Sequence, residues 1–141
     1  MQSKPLAGAR ILVIEDEVLV SMLIEDALGE SGCDLVGPAR SVAQGVALAA
    51  SETLSAAVLD VNVDGGEIFP VAEILSRRGI PYLFITGYRR SELPSRHRDA
   101  PTLEKPFGET MLVDAVRSLI RSELSHQLSA RLTAATRESG R

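Results

Sequence analysis

The stretch Ile11-Leu12-Val13-Ile14-Glu15-Asp16 is an uninterrupted apolar run that ends in two acidic residues. The same pattern recurs three times. Residues 56–59 end at Asp60, residues 82–85 end at Thr86, and the segment around Leu103 ends at Lys105. Short apolar runs between helical segments predict buried strands of a parallel sheet.

Helical periodicity fills the intervals between these runs. Apolar residues recur at helical spacing over residues 19–28, 42–49, 69–75 and 111–120, and residues 34–37 predict one more short strand. Ser41 is the expected N-cap of the second helix. Residues 89–99 are basic and interrupted by Pro94, and a short or frayed helix is expected there. Because such crossovers are right-handed, this order predicts an α/β fold, a (βα)5 doubly wound parallel five-stranded sheet with helices on both faces.

The polar residues that end the strands should lie close together. Ligands of open parallel sheets bind just outside the carboxyl ends of the strands. The residues expected to converge there are Glu15, Asp16, Asp60, Thr86 and Lys105. Carboxylates, a hydroxyl and an ammonium group together indicate a site for a divalent cation and a phosphoryl group.

Each of these residues suggests a chemical role, although each also has a common structural explanation. Asp60 is either a turn cap or a nucleophile that accepts a phosphoryl group. Glu15 and Asp16 next to Asp60 would favour Mg²⁺, a hard cation that prefers oxygen ligands, and the backbone carbonyl of Asn62 could complete its coordination. Lys105, otherwise a surface lysine, would stabilise charge on the transferring group. Thr86 is a strand-end threonine or a hydroxyl donor to a phosphoryl oxygen.

Composition favours one soluble cytoplasmic domain. The chain has 141 residues, of which 45% are hydrophobic and 24% are charged. Its one cysteine, Cys33, allows no internal disulfide and is expected to be buried and inert. A net charge of −4 and 4% aromatic residues give no indication of nucleic-acid binding. The sequence contains no apolar run long enough for a membrane span, and residues 1–8 lack the apolar core of a signal peptide.

The C-terminal residues 123–141 continue a helical pattern with leucines four residues apart, namely Leu124, Leu128 and Leu132. This segment is either a frayed extension of the last helix or an amphipathic arm, and an arm of that kind would make a homodimer through the last helix possible. Residues 136–141 are expected to be disordered.

At the strand ends the chain resembles the receiver domains of two-component response regulators. The resemblance covers residues 10–122 and rests on four motifs: residues 11–17, residues 58–62, Thr86-Gly87 and Lys105-Pro106-Phe107. It implies a receiver domain over residues 8–122, with a phosphoacceptor role for Asp60. Asp16 would bind Mg²⁺ directly and Glu15 through water, while Thr86 and Lys105 would sense the phosphoryl group. It also implies a cis peptide bond before Pro106.

The resemblance further implies a signalling protein rather than an enzyme. Its phosphoryl donor would be a sensor histidine kinase or a histidine phosphotransfer protein, and its output would be the binding of a downstream protein target. Phosphorylation would repack the basic segment at Arg89, Arg90, Arg96 and Arg98 together with the last helix, and these arginines would contact an acidic partner or simply be solvated. No output domain is expected after residue 122, which suggests a stand-alone receiver.

Two features depart from the usual receiver pattern. Receivers often carry an aromatic residue three positions before the lysine, where this chain has Thr102. Residues 84–88 instead resemble the Phe-x-Thr-Gly-Tyr signature of an alphaproteobacterial subgroup, in which Tyr88 would supply the switching aromatic residue.

Three alternatives remain open from the sequence. The chain could be a pseudo-receiver, a binding scaffold that never accepts phosphate. A flavin- or nucleotide-binding protein of the same topology would need a glycine- or serine-rich loop where this chain has Glu15-Asp16-Glu17. A haloacid-dehalogenase-type phosphatase would need an Asp-x-Asp pattern, but Glu17 and Val18 follow Asp16.

Overall fold

The computed structural model describes residues 4–64, 66–87 and 93–139, with side chains up to residue 135. Tyr88, Arg89 and Arg90, to which the sequence assigns switching and partner-binding roles, lie outside the described residues. The strands are β1 (Arg10–Ile14), β2 (Asp34–Ala39), β3 (Ala56–Asp60), β4 (Asn62–Val63), β5 (Gly66–Glu67), β6 (Tyr82–Thr86) and β7 (Thr102–Glu104). The helices are α1 (Val18–Glu30), α2 (Val42–Ser51), α3 (Phe69–Arg77) and α4 (Glu109–Ser139).

Five strands form one parallel sheet in the order β2-β1-β3-β6-β7. This is the doubly wound order in which the chain first winds towards one edge of the sheet and then towards the other. The predicted fold class is confirmed. All five strands run in the same direction, so their carboxyl ends share one edge.

Alternating residues of the central strands supply two separate cores. One face of the sheet packs against α2 and α3, and its buried residues include Leu12, Leu59 and Phe84. The other face packs against α1 and α4, and its buried residues include Val13 and Val58. Burial on both faces explains why these strands are continuous apolar runs rather than alternating ones.

The segment after β6 differs from the sequence expectation. A short helix was predicted within residues 89–99, but the described part of it contains a single 3-10 turn at Ser95–His97. Pro94 precedes that turn and cannot donate a backbone hydrogen bond, which disfavours a longer helix. Within the described residues, an α-helix therefore follows β1, β2, β3 and β7 of the five-stranded sheet, but not β6.

The segment after Asp60 forms a small hairpin. Strands β4 and β5 pair antiparallel, with Asn62 opposite Glu67 and Val63 opposite Gly66. Ser41 caps α2 as predicted, because its hydroxyl accepts a hydrogen bond from the Gln44 N–H at 3.2 Å. Cys33 is buried as predicted, and burial raises the pKa of its thiol to about 11.

Helix α4 runs well past the sheet. It continues to Ser139. Residues 136–139 are therefore helical, whereas they were expected from the sequence to be disordered. Leu124, Leu128 and Leu132 lie on this extension, and each side chain is more than half exposed. Among the described residues, no helix is both long enough and apolar enough to cross a membrane.

Two glycines provide a matched test of the fold. Gly37 in β2 has a φ of +98°, and a Cβ there would lie 2.6 Å from the Ala39 nitrogen and 2.9 Å from the Val13 carbonyl oxygen. Gly37→Ala should lower the free energy of unfolding by at least about 1–2 kcal/mol, because the left-handed backbone disfavours a Cβ and the space is filled.

Gly29 in α1 is the control, since nothing lies within 4 Å of its Cβ position. Gly29→Ala should leave stability unchanged or raise it by up to about 1 kcal/mol. Urea unfolding of both variants measures the difference. Equal stabilities would contradict the backbone described at Gly37.

Candidate functional site

The sheet brings the predicted strand-end residues to one edge. Asp60 ends β3 opposite Ile85 of β6, so Thr86 lies one residue further along the neighbouring strand. Thr86 in turn pairs with Glu104 of β7, and its carbonyl oxygen accepts a hydrogen bond from the Lys105 N–H at 2.9 Å. The parallel register therefore places Asp60, Thr86 and Lys105 on three adjacent strand ends.

The ammonium group of Lys105 lies among three carboxylates. Its Nζ is 3.2 Å from Asp60 Oδ2, 3.1 Å from Glu15 Oε1 and 3.0 Å from Glu17 Oε1. Neighbouring acids hold the pKa of Lys105 well above its usual range in spite of its partial burial. Lys105 thus stays charged, and the predicted contact with Asp60 is present.

Three carboxylates form a candidate metal site beside this lysine. One oxygen from each of Glu15, Asp16 and Asp60 lies within 4.8 Å of the other two. Glu15 and Asp60 are buried and Asp16 is half-buried. Hard oxygen donors with a net negative charge suit Mg²⁺, which accepts one or two carboxylates together with water and phosphate oxygens. The residues present therefore fit the cation expected from the sequence.

Glu15 shows the electrostatic cost of this arrangement. Its side chain is fully buried, and burial together with the adjacent Asp60 carboxylate raises its pKa from 4.5 to about 8. The Glu17 N–H, which donates to Glu15 Oε2 at 3.2 Å, and the Lys105 ammonium act in the opposite direction. Without further positive charge, the site favours a protonated Glu15 at neutral pH.

The remaining predicted site residues have mixed outcomes. The Asn62 N–H donates to Asp60 Oδ1 at 3.2 Å, and its carbonyl remains a predicted metal ligand. Thr102 is half-buried, and its hydroxyl donates to the Ala100 carbonyl oxygen at 3.2 Å. The peptide bond between Lys105 and Pro106 is cis, as the family resemblance implied.

Sequence reasoning missed two residues near the site. Glu17 belongs to the first motif, residues 11–17, and no role was predicted for it there, but its carboxylate contacts Lys105. A possible signal was its position, because glutamate is not among the residue types preferred at an N-cap. His97 lies in the segment that the sequence describes only as basic, but it is buried, stacked on Phe69 at 4.5 Å and set edge-on against Phe84 at 5.8 Å. Burial lowers the pKa of His97, and Arg96 Nε donates to its Nε2 at 3.0 Å.

Two curated relatives of this chain are named as regulators. No protein-family model matches the chain. The transcriptional regulatory protein PdtaR of Mycobacterium tuberculosis is 34% identical over 113 residues, which make up 76% of this chain and 54% of that protein. The phyllosphere-induced regulator PhyR of Methylorubrum extorquens is 30% identical over 128 residues, 88% of this chain and 46% of that protein. The chain thus spans about half the length of these curated relatives.

A solved structure matches over nearly its whole length. The solution structure of SdrG from Sphingomonas melonis is 38% identical, with a TM-score of 0.71, and the match covers 85% of this chain and 99% of SdrG. The chain belongs to the response regulator receiver family of two-component systems. The Phe-x-Thr-Gly-Tyr subgroup remains a prediction.

The buried Glu15 predicts a pH-dependent stability in metal-free buffer. The contribution of Glu15 to the free energy of unfolding is fully present below pH 4.5, where its carboxyl group is protonated in both the folded and the unfolded chain. It is lost as the pH rises through about 8, because the carboxyl group ionises first in the unfolded chain. The slope from one carboxyl group is at most about 1.4 kcal/mol per pH unit.

Glu15→Gln should flatten this slope, because the amide keeps the shape without titrating. Urea unfolding from pH 5 to pH 8 of both proteins measures the effect. Parallel profiles for the two proteins would show that Glu15 is already ionised in the folded protein over this pH range.

Proposed function

We propose that the chain accepts a phosphoryl group on Asp60 from a phosphohistidine of a sensor histidine kinase or a histidine phosphotransfer protein. The observation that supports this most directly is the contact of 3.2 Å between Asp60 Oδ2 and Lys105 Nζ beside the Glu15, Asp16 and Asp60 cluster. A carboxylate next to a fixed ammonium group and a metal-binding cluster suits phosphoryl transfer.

In the proposed reaction a carboxylate oxygen of Asp60 forms a bond to phosphorus. The bond from phosphorus to the donor imidazole nitrogen breaks, and its electron pair stays on that nitrogen. Lys105 offsets the charge on the transferring oxygens. The product carries about −2 of charge and three acceptor oxygens, to which Lys105 and the Thr86 hydroxyl would donate.

The residues that would hold Mg²⁺ are Asp16 and Asp60 directly, the Asn62 backbone carbonyl, and Glu15 through water. When bound, Mg²⁺ would neutralise the carboxylates and the phosphoryl oxygens. The raised pKa of Glu15 supports this assignment, because burial and the adjacent Asp60 carboxylate both disfavour the charged form that a bound cation would stabilise.

The donor protein would dock on the first turns of α1. Val18, Leu19 and Met22 are exposed there, and Leu19 is 81% exposed. Next to them, Leu23 and Phe107 line a largely apolar groove of about 440 Å³, with Lys105 in its wall. This surface would hold a donor helix within reach of Asp60.

The output would be a change in a protein-binding surface built from residues 93–98, β7 and α4. Phosphorylation would favour one of two existing states of that surface. Arg96 pairs with Glu73 at 3.2 Å and Arg98 donates to the Leu93 carbonyl oxygen at 2.8 Å, so an acidic partner would compete with contacts already made. The chain would act as a cytoplasmic signalling protein rather than as an enzyme, without contacting nucleic acid.

We also propose that residues 8–122 form the receiver unit and that residues 123–141 pair with a second copy. Leu124, Leu128 and Leu132 form an exposed row on α4. A second copy packed antiparallel would place Leu128 opposite itself and Leu124 opposite Leu132.

A second candidate function is a pseudo-receiver that binds partners without accepting phosphate. The exposed apolar residues on α1 would serve such a scaffold equally well. Phosphorylation of the purified protein separates the two functions.

Asp60→Asn should reduce labelling by acetyl phosphate with Mg²⁺ to the background level, because the amide cannot act as the nucleophile. Intact-mass spectrometry measures the gain of one phosphoryl group. Asp64→Asn, which changes an exposed aspartate four residues away, should label like the wild type. Labelling of the Asp60 variant at the wild-type level, or an unlabelled wild type, would exclude the proposed reaction.

The self-pairing of α4 can be tested with single cysteines, since Cys33 is buried. Leu128→Cys should form a disulfide-linked dimer on mild oxidation, whereas His126→Cys on the opposite side of the helix should form far less. Leu124→Cys should also cross-link poorly, because an antiparallel copy places it opposite Leu132. Non-reducing electrophoresis reports all three, and equal cross-linking would rule out pairing through the leucine row.

A further inference from the structure

Glu17 begins helix α1 without capping it. It is the N-cap residue, but its side chain makes no hydrogen bond to the first turn. Ser41 shows the ordinary behaviour at the start of α2, where the side chain accepts from the Gln44 N–H. The Glu17 carboxylate is instead directed to Lys105, 88 positions away, with Oε1 3.0 Å from Nζ. The Glu17 carboxylate thus contacts Lys105 rather than the first turn of the helix.

The three carboxylates around Lys105 are not equivalent. Glu15 and Asp60 are buried, whereas the Glu17 side chain is 62% exposed. An ammonium group has three donors, so a phosphoryl oxygen that binds Lys105 must replace a carboxylate. An exposed carboxylate is the least costly to release, because water solvates it again, whereas a buried one would be left unpaired.

We propose that Glu17 is a positioning residue that holds Lys105 in the unphosphorylated state and releases it to the arriving phosphoryl group. This inference rests on the proposed transfer to Asp60. The Glu17 contact stabilises only the ground state, since Lys105 is drawn to the phosphoryl oxygens in the transition state. The contact therefore opposes phosphorylation, and its removal speeds the reaction.

The test measures the rate at which acetyl phosphate and Mg²⁺ label the full chain. Glu17→Gln should label roughly two- to five-fold faster than the wild type at low salt, which is the range expected for an exposed ion pair. The ratio should fall towards one at about 0.5 M salt, because salt screens an exposed pair. A purely structural role for Glu17 would not produce this salt dependence.

Two further variants separate the contact from the general effect of charge. Glu67→Gln removes an exposed negative charge from the β4–β5 hairpin, beside Asn62, and should leave the rate unchanged. Glu17→Asp keeps the charge but shortens the side chain, and it should change the rate in the same direction as Glu17→Gln. It also places a preferred N-cap residue on α1, so a folding defect is not expected.

The possible failures are distinguishable. A wild type that is not labelled would overturn the proposed function, and this inference with it. A labelled wild type together with Glu17→Gln at or below its rate would overturn only the role of Glu17. Equal acceleration by Glu17→Gln and Glu67→Gln, with Glu17→Asp at the wild-type rate, would attribute the effect to net charge and would also overturn it.

Discussion

The arrangement of the site depends on one ammonium group held among carboxylates. Lys105 Nζ contacts Asp60, Glu15 and Glu17, all within 3.2 Å. Without this positive charge, the buried Glu15 and Asp60 would be adjacent anions in a poorly solvated place, which is strongly unfavourable. Burial and the adjacent Asp60 carboxylate raise the pKa of Glu15 in spite of the lysine. The remaining negative charge makes the site suitable for a cation and, with it, for a phosphoryl group.

The sheet supplies the precision that this arrangement needs. Asp60 and Thr86 lie on neighbouring parallel strands, β3 and β6, and Lys105 follows directly after β7. Strands β3 and β6 pack against an apolar core on both faces, so Asp60 and Thr86 at their ends have little freedom to separate. The loops beyond those ends differ in character. They include a short hairpin after Asp60 and a 3-10 turn in place of a predicted helix.

Much of this could be predicted from the sequence, for a definite physical reason. Continuous apolar runs that stop at a polar residue indicate both a buried parallel strand and the edge where it ends. Asp60 and Lys105 are 45 positions apart, yet topology alone predicts their contact. The role of Glu17 was not predictable in this way. Its carboxylate can bind either the helix N-terminus or Lys105, and only the folded sheet brings that lysine near. The 3-10 turn was missed because residues 93–99 have weak periodicity, and the burial of His97 depends on Phe69 and Phe84 from distant elements.

The central claim is that Glu15, Asp16 and Asp60 form a Mg²⁺ site next to Lys105. The most direct test is a titration of the ¹⁵N-labelled protein with Mg²⁺, followed by amide chemical shifts, for the wild type and for Asp16→Ala. The wild type should show saturable shifts at millimolar Mg²⁺ that centre on the residues around Asp16, Asp60 and Asn62, and these shifts should be strongly weakened in the variant. Shifts that do not saturate, or that are the same in both proteins, would contradict the central claim.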